Sequence, residues 1–183
     1  MNIAVIIPAA GKSNRFGSKD KLAEDLGGRP LLLRTVEFFT KREDVQEIIV
    51  AGPENDFPAF QERFGPSLAF HAVIIAKGGS TRSMTVKNAL SKVSETIDIV
   101  VVHDAARPAI TNALFDALLV ACATFPAVAP ALPINGTLKR TRSKAESVVD
   151  EDAIADSILG ADSQTSIKAF KVEETVDRSN LWE

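Results

Sequence analysis

Ile3-Ala4-Val5-Ile6-Ile7-Pro8 is a nearly unbroken, β-branched apolar run at the very start of the chain. It lacks the polar alternation of a half-solvated strand, so it must be covered on both faces. Runs of the same kind recur, separated by segments of helical period. Pro30 opens a helix whose Leu32, Val36 and Phe39 share one face. Residues 47–51 read as a second strand, 57–64 as a short helix, and 70–76 as a third strand ended by Gly78-Gly79. The spacing predicts a helix over 82–93 with Val86, Leu90 and Val93 on its buried stripe. Residues 97–102 are the most β-branched of all and are expected as a central strand. A helix over 111–124, capped by Thr111 or Asn112, and a buried strand over 127–134 follow. Such alternation predicts an α/β fold, a mostly parallel sheet with helices on both faces. Ligands bind such sheets beyond the carboxyl ends of the strands, so the polar residues there are the ones to examine.

The remaining composition narrows the class. A chain of 183 residues buries about 70% of its unfolded surface and needs no disulfide or metal staple. Cys122 is the single cysteine, which excludes a disulfide framework and a cysteine-ligated zinc site and fits a reducing compartment. Basic and acidic residues number 21 and 24, so no net positive field exists to hold nucleic acid. Tyr is absent and Trp182 is the lone Trp, which leaves few base-stacking platforms. Residues 117–134 approach the length of a membrane span, but Pro126, Pro130 and Pro133 would break a spanning helix. No basic leader precedes the first strand, and the expectation is a cytoplasmic protein that contacts neither membrane nor nucleic acid.

Four strand ends carry candidate chemistry. After the first strand comes Pro8-Ala9-Ala10-Gly11-Lys12-Ser13-Asn14-Arg15-Phe16-Gly17, with Lys19 and Lys21 beyond. Small residues admit a ligand close to the backbone, and successive N–H groups can cradle an anion; the alternative is a plain βα turn. The spacing matches neither a Walker loop nor Gly-x-Gly-x-x-Gly. After the third strand, Gly78-Gly79-Ser80-Thr81-Arg82-Ser83-Met84-Thr85 could read a base edge, or could be a turn in which Ser80 or Thr81 caps a helix. His103-Asp104-Ala105-Ala106-Arg107-Pro108 offers a carboxylate for a sugar hydroxyl or a metal ion, or else a structural Asp104–Arg107 pair; His103 reads as a packed histidine. Finally, Thr137-Leu138-Lys139-Arg140 and Thr175-Val176-Asp177-Arg178 bracket a polar excursion with an acidic cluster at Asp150, Glu151, Asp152 and Asp156. A loop of that length is either solvated or functional, as an arm or a partner-contacting hairpin.

These motifs, together with Gly27-Gly28-Arg29-Pro30-Leu31, resemble in kind and order the 2-C-methyl-D-erythritol 4-phosphate cytidylyltransferases. The Asp104-Ala105-Ala106-Arg107-Pro108 run is the most specific element. The resemblance implies a three-layer α/β/α Rossmann-like nucleotidyltransferase fold. It further implies a magnesium-dependent cytidylyl transfer from CTP to methylerythritol phosphate in non-mevalonate isoprenoid synthesis. Arg15 and Lys21 align with the family's catalytic pair. Pro8, Ala9, Ala10, Gly11, Gly78, Gly79, Arg82, Thr85, Asp104 and Ala105 align with nucleotide contacts. Arg107, Thr137 and Arg178 align with acceptor contacts, which come in part from a partner's arm and imply a homodimer. Magnesium is expected mainly on the triphosphate, with no protein ligand assigned. The implied organisation is a core over 1–138, a dimer-contacting arm over 139–174, and a return to the core over 175–183. The family's further C-terminal helices have no counterpart up to Glu183. The chain departs from the family pattern at Ser13, Asp20, Thr85 and Gly136. A transferase for another polyol phosphate, such as ribitol 5-phosphate, and a non-catalytic nucleotide-binding relative are the alternatives.

Overall fold

The computed structural model describes residues 1–11, 20–141, 146–148, 167–169 and 171–183. These form two compact units, Met1–Asp116 and Ala117–Glu183. In the first, strands β1 (Ile3–Pro8), β2 (Val45–Gly52), β3 (Ile74–Lys77) and β4 (Ile99–Val102) form a parallel sheet in the order β3-β2-β1-β4. Helices α1 (Leu31–Thr40), α2 (Phe57–Phe70) and α3 (Arg82–Leu90) are the crossovers. Since such crossovers are right-handed, α1 and α2 lie on one face and α3 on the other. The direction of winding reverses beside β1, which makes the ends of β1 the natural ligand position. As its composition requires, β1 is buried almost end to end. Ala4 and Ile6 cluster with Ile49, Ala51, Ala76 and Ala89, the last supplied by α3. In α1, Leu32, Val36 and Phe39 are fully buried.

A second fixture ties the start of α4 (Asn112–Cys122) to the turn before β2. The Arg42 guanidinium bonds Asp44 at 2.7 and 2.9 Å, Asp116 at 2.8 Å and the Asn112 side chain at 3.1 Å. It also lies 4.5 Å from the Phe115 ring centre, and Phe115 packs edge-on to Phe39. Thr111 caps α4, its hydroxyl accepting from Leu114 N.

Several sequence expectations need correction. Helix α2 runs to Phe70 rather than ending at residue 64, and β3 starts at Ile74 rather than 70. Phe60, Phe64 and Leu68 continue one buried stripe through Pro66, so packing outweighs the hydrogen bond that proline removes. Helix α3 ends at Leu90, and its buried positions are Thr85 and Ala89 rather than Val86 and Leu90. Ile99–Val102 is not central: β4 pairs only with β1 among the described residues, and Val100 and Val102 are 39% and 45% exposed.

In the second unit, residues 127–134 form no strand, and Leu132 is exposed. Prolines 126, 130 and 133 remove ladder donors there. The segment keeps an isolated bridge from Pro133 to Trp182, with Leu132 and Glu183 exchanging both backbone hydrogen bonds. Strands β5 (Lys139–Thr141) and β8 (Val172–Thr175) pair antiparallel, as do β6 (Glu146–Val148) and β7 (Ile167–Ala169). Most of the expected arm, and the acidic cluster at 150–156, lie outside the described residues. No helix among the described residues is long and apolar enough to cross a membrane.

Candidate active site

The loops that leave β1 and β3 are both fastened to the end of β2. Ala9 N donates to Ala51 O at 2.8 Å, and Gly78 N donates to Gly52 O at 2.9 Å. Between them opens a cleft of about 950 Å³, lined by Pro8, Ala9, Ala10 and Gly11 on one side and Gly79, Ser80, Thr81, Arg82 and Thr85 on another. Pro53, Glu54, Asn55, Asp56, Phe60 and Arg63 complete the wall with Asp20 and Leu22. Of the predicted nucleotide contacts, Pro8, Ala9, Ala10, Gly11, Gly79, Arg82 and Thr85 face this one space, and Gly78 does not line it.

Local chemistry explains the shape. A side chain at Gly78 would place its Cβ 2.5 Å from Gly52 O and 3.1 Å from Ala10 Cβ, so only glycine lets these loops meet. Among the described residues, none has an atom within 4 Å of a Cβ position at Gly11, whereas the space at Gly78 is filled. Thr81 caps α3, accepting from Met84 N at 3.1 Å, and the start of that helix opens onto the cleft. A capped helix start with further amides is suited to an anion. Thr85 is buried, and its hydroxyl accepts from Gly79 N at 3.1 Å and lies 2.9 Å from Thr81 O. In this structure that hydroxyl holds the glycine turn together.

Asp104 sits between two arginines. Arg82 Nη2 reaches its Oδ1 at 2.6 Å, and Arg107 Nε reaches its Oδ2 at 2.9 Å. Burial pushes this carboxyl up, yet the Arg82 hydrogen bond and the charges of Arg82, Arg107 and His103 hold it below the ordinary carboxylate range. Arg82 links this cluster to the cleft, whereas Asp104, Ala105 and Arg107 do not line it. The Asp104–Arg107 pair is present, as the structural alternative anticipates, with Arg82 added. His103 packs edge-on to Phe39 at 5.1 Å, and its Nε2 lies 2.9 Å from Arg107 O. The buried Thr35 of α1 donates its hydroxyl to Ala105 O at 2.9 Å, which fixes the turn after β4 from below.

Lys21 begins a 3-10 turn, Lys21–Ala23, whose cap is Asp20. Asp20 Oδ1 accepts from Leu22 N at 3.0 Å and Oδ2 from Arg63 Nη1 at 2.9 Å. Lys21 is half-buried between two cleft-lining residues, and its own side chain does not line the cleft. Arg15, with Lys12, Ser13 and Lys19, lies outside the described residues. In the second unit, pairing of β5 with β8 brings the two bracketing motifs together. Lys139 Nζ bonds Thr175 Oγ1 at 2.6 Å, Val176 N bonds Leu138 O at 3.0 Å, and Arg178 donates to Asn135 O. Thr137 is exposed beside them. Asp177 is held below the ordinary range by the hydroxyl and backbone N–H of Ser179.

Sequence reading noted Asp20 only as a departure from the family pattern, and it missed Arg63, Thr35 and the 53–56 loop as parts of this region. The position of 53–56 just past a strand end was the available signal; Thr35 and Arg63 carried none, since each looks like an ordinary polar position on an amphipathic helix.

The family model described as "IspD: 2-C-methyl-D-erythritol 4-phosphate cytidylyltransferase" matches residues 3–154. A curated protein of that name from Rhodopirellula baltica is 34% identical over 161 residues, covering 81% of this chain and 66% of its own length. One from Frankia casuarinae is 38% identical, covering 75% of this chain and 50% of its own. The chain thus spans about half to two thirds of the length of these curated relatives. A solved structure titled as 4-diphosphocytidyl-2C-methyl-D-erythritol synthase is 25% identical with a TM-score of 0.64, covering 100% of this chain and 71% of that one. A bifunctional IspDF from Campylobacter jejuni shares the fold at 20% identity and a TM-score of 0.68, covering 100% of this chain and 39% of that one. A family match over residues 3–154 and a curated relative 34% identical over 161 residues lead to one conclusion: the chain belongs to the 2-C-methyl-D-erythritol 4-phosphate cytidylyltransferase family.

Proposed function

We propose that the chain transfers a cytidylyl group from CTP to 2-C-methyl-D-erythritol 4-phosphate and releases pyrophosphate, in the cytoplasm. The observation that carries this reading is the cleft between the Pro8–Gly11 backbone and the capped start of α3, in a chain of this family. A phosphate oxygen of the acceptor attacks the α-phosphorus; the new P–O bond forms as the bond to the β-phosphate oxygen breaks. A phosphate monoester with a second pKa of about 6 is already largely dianionic at neutral pH, so no general base is needed. The difficulty is bringing two anions together, which is work for cations and aligned donors.

Backbone N–H groups at Ala10 and Gly11 would take the nucleotide, with Pro8, Ala9 and Gly79 shaping the walls and Gly78 packed behind them. Arg15 and Lys21 would offset charge at the α-phosphate. Asp104 pairs with both Arg82 and Arg107; Arg82 would face the nucleotide and Arg107 the acceptor. Thr137 and Arg178 would bind the acceptor phosphate from a partner subunit's arm, in a homodimer.

Magnesium prefers octahedral oxygen, keeping several waters and substrate oxygens. Glu54 and Asp56 line the cleft, and no three acidic, His or Cys groups cluster among the described residues. Such a lining fits an ion carried mainly on the triphosphate, with Glu54 or Asp56 in support. Bound there, magnesium would withdraw charge from the phosphate oxygens.

The test is pyrophosphate release from CTP with magnesium, using methylerythritol phosphate and ribitol 5-phosphate in parallel. Release with the first alone is expected. Release with only ribitol 5-phosphate would overturn the acceptor, and CTP binding without release from either would point to a non-catalytic nucleotide binder. Lys21→Ala should lower turnover about a hundredfold or more, by analogy with loss of one preorganised donor. A near-normal rate would remove Lys21 from the mechanism.

A further inference from the structure

We propose that Arg63 is a positioning residue for Lys21 and acts through Asp20; this rests on the reading of Lys21 as a catalytic group. The turn that carries Lys21 is only three residues long and makes few hydrogen bonds of its own among the described residues. Most of them involve Asp20: its carboxylate accepts from Leu22 N at 3.0 Å and its carbonyl from Ala23 N at 3.0 Å. The second carboxylate oxygen accepts from Arg63 at 2.9 Å.

Arg63 stands on firm ground, because its neighbours Phe60 and Phe64 anchor α2 in the core. One carboxylate thus connects a rigid helix to the start of a short turn. Both Asp20 and Arg63 line the nucleotide cleft, 43 residues apart in sequence. Without the guanidinium, the Asp20 side chain keeps its cap but loses the bond that fixes its direction. The turn, and Lys21 with it, would then sample more orientations. The pair is roughly half exposed, so its effect is modest, on the order of three- to fivefold.

The experiment uses the full chain with Arg63→Ala, Asp20→Asn, the double variant and Arg63→Lys. Asparagine caps as well as aspartate, so Asp20→Asn removes the charge pair without removing the cap. Hydrogen exchange at the amides of residues 22–24 is one readout, and kcat and KM for CTP are the other. Each single variant should speed exchange and lower kcat by about three- to fivefold, with KM within twofold of the parent. The double variant should add nothing, and Arg63→Lys should restore most of the loss. Unchanged exchange, additive effects, or a change confined to KM in Arg63→Ala would overturn the proposal; the last would make Arg63 a nucleotide contact. Lys21→Ala separates the two levels. If it abolishes turnover while the Arg63 variants change neither exchange nor kcat, positioning fails and the site reading stands. If it leaves turnover near normal, the site reading fails and takes this inference with it.

Discussion

Gly78 and Gly11 both follow strand ends, yet physical chemistry asks different things of them. At Gly78 a methyl group would collide with the Gly52 carbonyl, which also accepts the Gly78 N–H. Gly78→Ala should therefore cost about 1–3 kcal/mol of stability through overpacking, read as a lowered denaturant midpoint. Gly11→Ala meets none of the described residues and should leave stability within about 0.5 kcal/mol, while weakening CTP binding. Equal loss of stability in both variants would contradict this division. Thr35 gives a second test at the same scale. Thr35→Val removes the donor to the Ala105 carbonyl and should destabilise by about 1–3 kcal/mol, the cost of an unpaired buried acceptor. The glycines were legible as turn residues in the sequence, but the contact that demands one of them was not. Thr35 was invisible, because nothing local marks a threonine whose partner lies 70 residues away.

Among the elements, apolar patterning located β1 and β2 by their unbroken runs and α1 by its buried stripe. It misplaced the end of α2, where Gly65-Pro66 looks like a stop and Leu68 continues the buried face. It also placed β4 at the centre, since a β-branched run signals strand without saying how many neighbours it has. The first turn of α4 is held by Arg42, which is mostly buried among Asp44, Asp116, Asn112 and the Phe115 ring. Arg42→Ala should cost about 1.5–3 kcal/mol, the range for hydrogen bonds to charged groups, and would be measured by chemical unfolding. The same cluster sets an acid limit. The Arg42 hydrogen bond holds the Asp44 carboxyl below its ordinary value against the opposing effect of burial. A depressed folded-state pKa contributes stability above the unfolded value, and that contribution is lost as pH falls through the folded value. Stability should thus decline below about pH 4, and Asp44→Asn should flatten that decline. An unchanged acid slope would show that Asp44 does not couple folding to protons.

For the molecule as a whole, ligand binding and folding are linked. CTP at about a hundred times its Kd should stabilise the chain by about 2.7 kcal/mol, seen as a raised melting temperature. Chelating magnesium should abolish pyrophosphate release while leaving the melting temperature without nucleotide unchanged. A fall in that temperature on chelation would mean that the metal belongs to the fold rather than to the nucleotide. The sequence by itself determined that strands and helices alternate, and so that the loops after β1, β3 and β4 emerge at one edge of a parallel sheet. Strand direction and chain order are local and covalent, and hydrophobic period reports them directly. Only the tertiary structure decided that Arg82 joins the Asp104–Arg107 pair, that Asp20 is tied to Arg63, and that β4 has β1 as its one sheet neighbour among the described residues. Those partnerships join residues far apart in the chain, and their choice follows from packing geometry, which no local pattern encodes.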